Sequence, residues 1–242
     1  MRAPLRWVLW DVKDTLLKVR SSVGGQYAKE AERMGVKLSP VEVGAAFQKV
    51  HHSYSSRYPN YGISEGLDGR SWWMGVVQDT LHQCKVTDPE LVNTIACNLY
   101  HNFCSADNWE QVYPDTRTAL ESCSSLGLKL AVVSNFDNRL EAILQSCGLL
   151  SHFSFLVTSE GAGVAKPHPA IFHHALRKCG ASADSVAHVG DHYVNDYLAS
   201  RSVGIHGFLL DRNNMQKAAP LPPEHRLTSL EELPSRLQQH TD

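Results

Sequence analysis

LRWVLWDVKDTLLK, residues 5–18, is the stretch on which the fold turns. An apolar run of Val, Leu and Trp breaks off at Asp11 and is followed by Lys13, Asp14 and Thr15. That pattern reads as a buried strand delivering a carboxylate to its carboxyl end. From about Trp109 onward the same kind of run recurs as LKLAVVSNF (128–136), FSFLVTSE (153–160), SVAHVGD (185–191) and GIHGFLLD (204–211), most of them separated by an amphipathic stretch. Such alternation predicts right-handed crossovers and a parallel sheet flanked by helices. The expected fold class is therefore α/β, with a Rossmann-like, doubly wound parallel sheet as its core. Ligands of open α/β sheets bind outside the carboxyl ends of the strands, so Asp11, Ser134 and Asp191 are expected to meet there.

Residues 19–108 read differently. Helical periodicity runs through QYAKEAERMG (26–35), PVEVGAAFQKVHHSYSSRY (40–58), SWWMGVVQDTLHQC (71–84) and DPELVNTIACNLYHNF (88–103), with little strand signal. Pro40 and Pro89 fall where first helical turns accept proline, and Ser71 reads as an N-cap. Residues 1–18 and 109–242 are thus expected to form the core, with 19–108 as a helical insert. PNYGISEGLDG (59–69) is dense in turn formers and reads as a loop able to face a ligand. AAPLPPEH (218–225) reads as a connector before a last strand, RLTSL (226–230), and a last helix.

With 242 residues, 43% of them hydrophobic, the chain can bury a large core. A net charge of −2, from 23 basic and 25 acidic residues without long blocks of one sign, gives no ground for expecting nucleic acid or a membrane surface as partner. Small solutes fit better. Six cysteines (Cys84, Cys97, Cys104, Cys123, Cys147 and Cys179) are scattered without a C-x-x-C pair, which suits neither a zinc site nor a disulfide framework and predicts reduced thiols. Few residues precede the first strand, so no cleavable leader is expected, and no apolar run reaches the roughly 18 residues of a membrane span. The expected setting is intracellular, in the cytoplasm.

Four segments gain meaning together: Asp11 after the first strand, Ser134 and Asn135 in VVSNFD, Lys166 in AKPHPAIF, and Asp191 with Asp196 in VGDHYVND. In order and spacing they resemble the motifs of the haloacid dehalogenase-like hydrolase superfamily. The resemblance covers nearly the whole chain and implies that residues 19–108 are the family's helical cap, with the active site between cap and core and hinges near 19–25 and 106–114. It implies a small phosphorylated substrate, a phosphoenzyme on Asp11, and Mg²⁺ held by Asp11, Asp191 and the backbone carbonyl of Lys13. The physical logic agrees, because phosphoryl transfer is mostly positioning and charge stabilisation. Asp11 would be the nucleophile, Ser134 a donor to a phosphoryl oxygen with the Asn135 backbone nearby, and Lys166 a fixed cation offsetting developing charge. Thr15 and Asp196 would support these groups from behind. Asp196 has two readings, one as orienter of Lys166 or a metal-bound water and one as cap of the helix that follows.

Position 13 departs from the family pattern. The family's phosphatases read D-x-D-x-T or D-x-D-x-V, and their second aspartate serves as general acid and then base. Here a lysine stands in that place, and Asp14 would face the opposite side of an extended strand end. General acid–base catalysis contributes about 10² to 10⁴-fold, so slow turnover is expected. One alternative has Lys13 acting as the acid. Another has its ammonium pairing with Asp11 and competing with the metal, which leaves a catalytically degenerate phosphate- or metabolite-binding protein. A third, a metal-free haloacid dehalogenase-type hydrolase, suits the missing aspartate but lacks an assignable arginine for a substrate carboxylate among Arg20, Arg33, Arg57 and Arg70.

The remaining polar residues read mainly as structure. His51 and His52 diverge on their helix and are expected at the surface. His188 and His192 span a strand end and are expected to stay apart, with His192 a minor candidate to face the leaving group. Asp137 reads as an N-cap for NRLEAILQS, with a contact to the cap as the alternative. Trp72 and Trp73 read as cap core.

Overall fold

The computed structural model describes residues 4–111, 114–216 and 220–239. Residues 1–3, 112–113, 217–219 and 240–242, on which parts of the expected core, hinge and connector fall, lie outside the described residues. The strands are β1 (Trp7–Trp10), β2 (Leu17–Val19), β3 (Trp109–Gln111), β4 (Lys129–Ser134), β5 (Leu156–Thr158), β6 (Val186–Gly190), β7 (His206–Leu210) and β8 (Arg226–Leu227). The helices used below are α1 (Val23–Arg33), α2 (Pro40–Arg57), α3 (Gly69–Gln83), α4 (Pro89–Asn102), α5 (Asp115–Ser125), α6 (Leu140–Ser146), α7 (Ser159–Ala162) and α8 (Ala170–Cys179). The chain divides into two compact units. One comprises Met1–Lys18, Gln111–Phe136 and Gly148–Asp242, and the other Val19–Glu110 and Asp137–Cys147.

The first unit is an α/β layer built on a six-stranded sheet in the order β5-β4-β1-β6-β7-β8, parallel throughout. Parallel strands covered on both faces are apolar at every position rather than at alternate ones, and β1 and β6 are buried along their whole length. Leu9, Ala131, Val133 and Val157 from three strands share one apolar cluster with Ile171, Phe172 and Ala175 of α8. Full burial of side chains of this kind contributes about 1.5–3 kcal/mol each. Because β1 lies between β4 and β6, with Trp10 level with Val132 and Val189, three strand ends sit side by side. β2 and β3 form a separate two-stranded ribbon.

The second unit is helical. Ser39 and Asp88 cap α2 and α4, each followed by a proline in the first turn as expected. The N-cap of α3 differs from expectation: Asp68 takes that role, and Ser71 donates its backbone N–H to the Asp68 carboxylate at 2.7 Å. A carboxylate three residues upstream accepts the orphan amide, so the serine hydroxyl is not needed as the cap. α1 crosses α2 so closely that a Cβ on Gly24 would stand 2.2 Å from the Pro40 carbonyl, which leaves only glycine there. PNYGISEG is not a plain loop but an irregular helical turn in which Asn60, Tyr61 and Gly62 have positive φ. His51 is half-buried rather than on the surface, its ring against those of Trp72 and Trp73 at 5.5 and 5.8 Å. The helix predicted over NRLEAILQS is α6. At its start the Arg139 backbone N–H donates to Asp137 Oδ1 at 2.9 Å, and Asp137 also pairs with the Arg139 guanidinium and accepts from Trp73 Nε1 at 2.8 Å. Among the described residues no helix is long and apolar enough to cross a membrane.

Candidate active site

Asp11 leaves β1 with its amide bonded to the Val189 carbonyl at 2.9 Å, so the neighbouring strand fixes its backbone. Its carboxylate is buried. Oδ1 accepts from Lys166 Nζ at 2.7 Å and from Ser134 Oγ, at the end of β4, at 3.0 Å. Thr15 Oγ1 lies 3.4 Å from Asp11 Oδ2 and 3.1 Å from Asp191 Oδ1. A hydroxyl has one proton, so Thr15 can donate to only one of these carboxylates at a time, and the shorter distance favours Asp191.

Lys166 is buried between two aspartates. Its ammonium donates to Asp11, to Asp196 Oδ1 at 2.6 Å and to the Val133 carbonyl at 2.9 Å, which uses all three protons. Asn135 clasps the same residue from the backbone side. Its side-chain oxygen accepts from Lys166 N at 2.7 Å and its amide donates to Lys166 O at 2.8 Å. Asp196 comes from the π-helical turn Tyr193–Leu198 that follows β6. The wide turn lets its carboxylate fold back under the strand end, where a Cβ on Gly190 would stand 2.2 Å from Asp196 Cγ. Glycine at 190 is therefore a requirement of the site. Asp196 Oδ2 accepts from His192 N at 2.9 Å, and Oδ1 lies 3.0 Å from His188 Nε2.

Charge is unevenly matched here. Burial raises the Asp11 pKa, with the Asp196 charge adding to the rise and Lys166 offsetting part of it. Burial likewise raises Asp191, helped by the charges of Asp11, Asp196 and Asp14, to about 7. Burial also works against ionised Asp196, but the Lys166 ammonium and the His188 bond overcome it and hold that carboxyl well below the usual range. Lys166, in spite of its burial, is held well above the usual lysine range by Asp11 and Asp196.

Asp11, Asp191 and Asp196 each offer a carboxylate oxygen within 4.8 Å of the others, a set of hard donors that fits a divalent cation. Asp196 already accepts from Lys166, His188 and His192, which makes Asp11 and Asp191 the better ligands. Of the residues singled out from sequence, Asp11, Thr15, Ser134, Asn135, Lys166, Asp191 and Asp196 come together in this one cluster. Lys13 has a different partner. Its ammonium pairs with Asp14 at 2.6 Å, both side chains being half-exposed, while Asp11 is paired with Lys166. Asp14 reaches it because its backbone turns to a positive φ of 65°, which breaks the alternation of an extended strand.

Three residues play parts beyond the sequence expectation. His188 reads as a polar interruption in an apolar strand, yet it belongs to the Asp196 network. His192 is spent on its own turn, its Nδ1 accepting from Val194 N and Asn195 N, both at 3.2 Å. Gln216 reaches back from the segment after β7 to donate to the Asp191 carbonyl at 2.7 Å and accept from Tyr193 N at 3.1 Å, pinning the backbone that carries Asp191. The interrupted apolar run in SVAHVGD hinted at His188, whereas nothing local marked Gln216.

Residues 5–204 match the family described as haloacid dehalogenase-like hydrolase. A haloacid dehalogenase-like hydrolase domain-containing protein 3 from Danio rerio is 60% identical over 243 residues, covering 100% of both chains. A phosphoserine phosphatase from Thermus thermophilus is 25% identical over 184 residues, 76% of this chain and 74% of its own. A HAD-hydrolase structure from Bacillus subtilis, bound to magnesium, superposes with a TM-score of 0.73 at 16% identity, covering 98% of this chain and 100% of its own, a likeness of fold.

Proposed function

The chain belongs to the haloacid dehalogenase-like hydrolase family, and from that premise we propose that it hydrolyses small phosphomonoesters, with Mg²⁺, through a phosphoenzyme on Asp11. The observation that carries this reading is the buried Asp11 carboxylate, with Lys166 Nζ and Ser134 Oγ at 2.7 and 3.0 Å from one oxygen and Asp191 beside it. In the first step an Asp11 oxygen bonds to phosphorus as the ester P–O bond breaks, and the leaving oxygen takes a proton from water. In the second, water attacks the same phosphorus, the Asp11–phosphorus link breaks, and phosphate departs.

Lys166 offsets the charge gathering on the phosphoryl oxygens, and Ser134 turns its hydroxyl from Asp11 to one of them, with the Asn135 backbone nearby. Asp11, Asp191 and the Lys13 carbonyl would hold Mg²⁺, which supplies the positive charge that this carboxylate cluster lacks. Thr15 and Asp196 keep the carboxylates and Lys166 aligned. The side chain at position 13 is a lysine tied to Asp14, so the leaving group departs without a built-in carboxylic acid. Slow turnover follows, fastest for acidic leaving groups. In this reading residues 19–108 act as the cap that selects the substrate. Free cysteines throughout fit a reducing compartment, the cytoplasm.

The lysine at position 13 also suits a second reading, a catalytically degenerate protein that binds phosphate or a phosphorylated metabolite, but Lys13 pairs with Asp14 and not with Asp11, which takes away the competition with the metal that this reading invokes. The metal-free dehalogenase reading is less favoured, because it gives the crowded pair Asp11 and Asp191 no counter-charge beyond Lys166. A rapid-quench time course with an aryl phosphate and Mg²⁺ separates these readings. The phosphatase gives a stoichiometric burst in wild type that is absent in Asp11→Asn. Turnover that appears only in Lys13→Asp identifies the binding protein instead.

A further inference from the structure

His188 sits in the middle of β6, fully buried, with β1 on one side and β7 on the other. A polar ring in a sheet interior is costly unless bonded, and His188 is bonded on one side only. Nε2 lies 3.0 Å from Asp196 Oδ1, whereas Nδ1 has no partner among the described residues and the ring packs edge-on against Phe172 at 5.0 Å. An ionised carboxylate only accepts, so the Nε2 proton makes this bond. Protonating Nδ1 as well would bury an N–H with no acceptor.

Asp196 Oδ1 thus accepts from His188 and Lys166 together, while Oδ2 accepts from His192 N. Three donors from three different segments leave the carboxylate no freedom to rotate. Lys166 is aimed in turn, because its position between Asp196 and Asp11 depends on where Asp196 Oδ1 is held. We propose that His188 is a positioning residue of the phosphoryl-transfer site, its Nε2–H holding Asp196 in the orientation that directs Lys166 at Asp11. Burial lowers the His188 pKa, in keeping with a neutral ring that adds a hydrogen bond without a second cation. This assignment rests on Asp11 and Lys166 acting as proposed above.

Two variants test it. His188→Leu removes both nitrogens at similar volume, and His188→Gln returns an N–H near the place of Nε2. With both shown by thermal melting to be folded, aryl phosphate turnover in Mg²⁺ is expected to lose about 10- to 100-fold in kcat in the leucine variant with KM little changed, and to be largely restored in the glutamine variant. Unchanged kcat in His188→Leu overturns the proposal, and so does a glutamine variant as slow as the leucine one. Should either variant fail to fold, nitrogen-15 spectra of the histidines in the wild-type protein decide. A proton on Nε2 and none on Nδ1 supports the assignment, and a proton on Nδ1 overturns it. Absence of any turnover in wild type would instead refute the phosphatase reading, and the same spectra would still decide the His188–Asp196 bond.

Discussion

Each unit of the molecule buries a cluster of charge, and the two clusters are built on opposite plans. In the helical unit Arg139 donates from Nε and Nη2 to the two oxygens of Asp137 at 2.9 and 2.7 Å, and from Nη1 to the Tyr100 carbonyl at 3.3 Å. Its Cζ lies 4.3 Å from the centre of the Tyr100 ring, and Trp73 adds a further donor to Asp137. One cation meets one anion, with three guanidinium N–H groups and both carboxylate oxygens hydrogen-bonded. In the α/β unit three carboxylates, Asp11, Asp191 and Asp196, cluster together, and a single ammonium, that of Lys166, pairs with two of them, Asp11 and Asp196. A matched pair is complete in itself and reads as structure. An unmatched set, with the Asp191 pKa pushed up to about 7, is short of positive charge and reads as a place for a ligand.

That contrast can be broken most directly at Asp11, the proposed nucleophile. Asp11→Asn is expected to cost about 10⁴- to 10⁶-fold in turnover, the scale of losing a nucleophile, while leaving the melting temperature close to wild type; rapid-quench kinetics and calorimetry check both halves. A gain in the other direction is expected from Lys13→Asp, about 10²- to 10⁴-fold with alkyl phosphates and less with aryl ones, because only poor leaving groups need the acid. Equal gains on both substrates would sink that account of position 13.

The helical cluster should fail in stability rather than in chemistry. Arg139→Ala leaves the Asp137 charge buried without its partner and is expected to destabilise the protein by about 3–5 kcal/mol in urea unfolding. Asp191→Asn should do the reverse in metal-free protein. It removes a crowded charge, keeps an acceptor for Thr15, and is expected to stabilise by on the order of 1 kcal/mol, given that a pKa unit corresponds to about 1.4 kcal/mol. Destabilisation by both variants would mean that the α/β cluster is as well matched as the helical one.

The smallest effect concerns pH. The Asp191 pKa is raised from 3.8 to about 7, so the metal-free fold holds that proton more tightly than the unfolded chain does. Its contribution to stability is present in full below pH 3.8 and is lost as pH rises through about 7. A metal bound by Asp191 displaces the proton, so Mg²⁺ should raise the melting temperature more at pH 8 than at pH 6. A shift that does not depend on pH would separate Asp191 from the metal.

Much of this arrangement was legible beforehand because it depends on periodicity. Buried parallel strands carry continuous apolar runs, so LRWVLW, LAVVS and SVAHVG announced themselves, and with them the polar residues at their ends. Prolines in first turns marked α2 and α4 for the same local reason. What went unread were bonds that no period encodes: Asp68 rather than Ser71 at the start of α3, the Arg139 guanidinium on Asp137, the clasp of Gln216 on the Asp191 loop, and the His188–Asp196 bond.

By itself, then, the sequence determined which carboxylates reach the carboxyl ends of their strands, since hydrophobic pattern acts over a few residues at a time. Only the tertiary structure decided how the charges pair. Lys13 is two residues from Asp11 and Lys166 is 155 away, yet Lys166 takes Asp11 and Lys13 takes Asp14. The reason is geometric. A positive φ at Asp14 brings the nearby carboxylate to Lys13, while the loop before α8 threads Lys166 under the sheet edge, where burial makes pairing with Asp11 and Asp196 far stronger than any exposed contact.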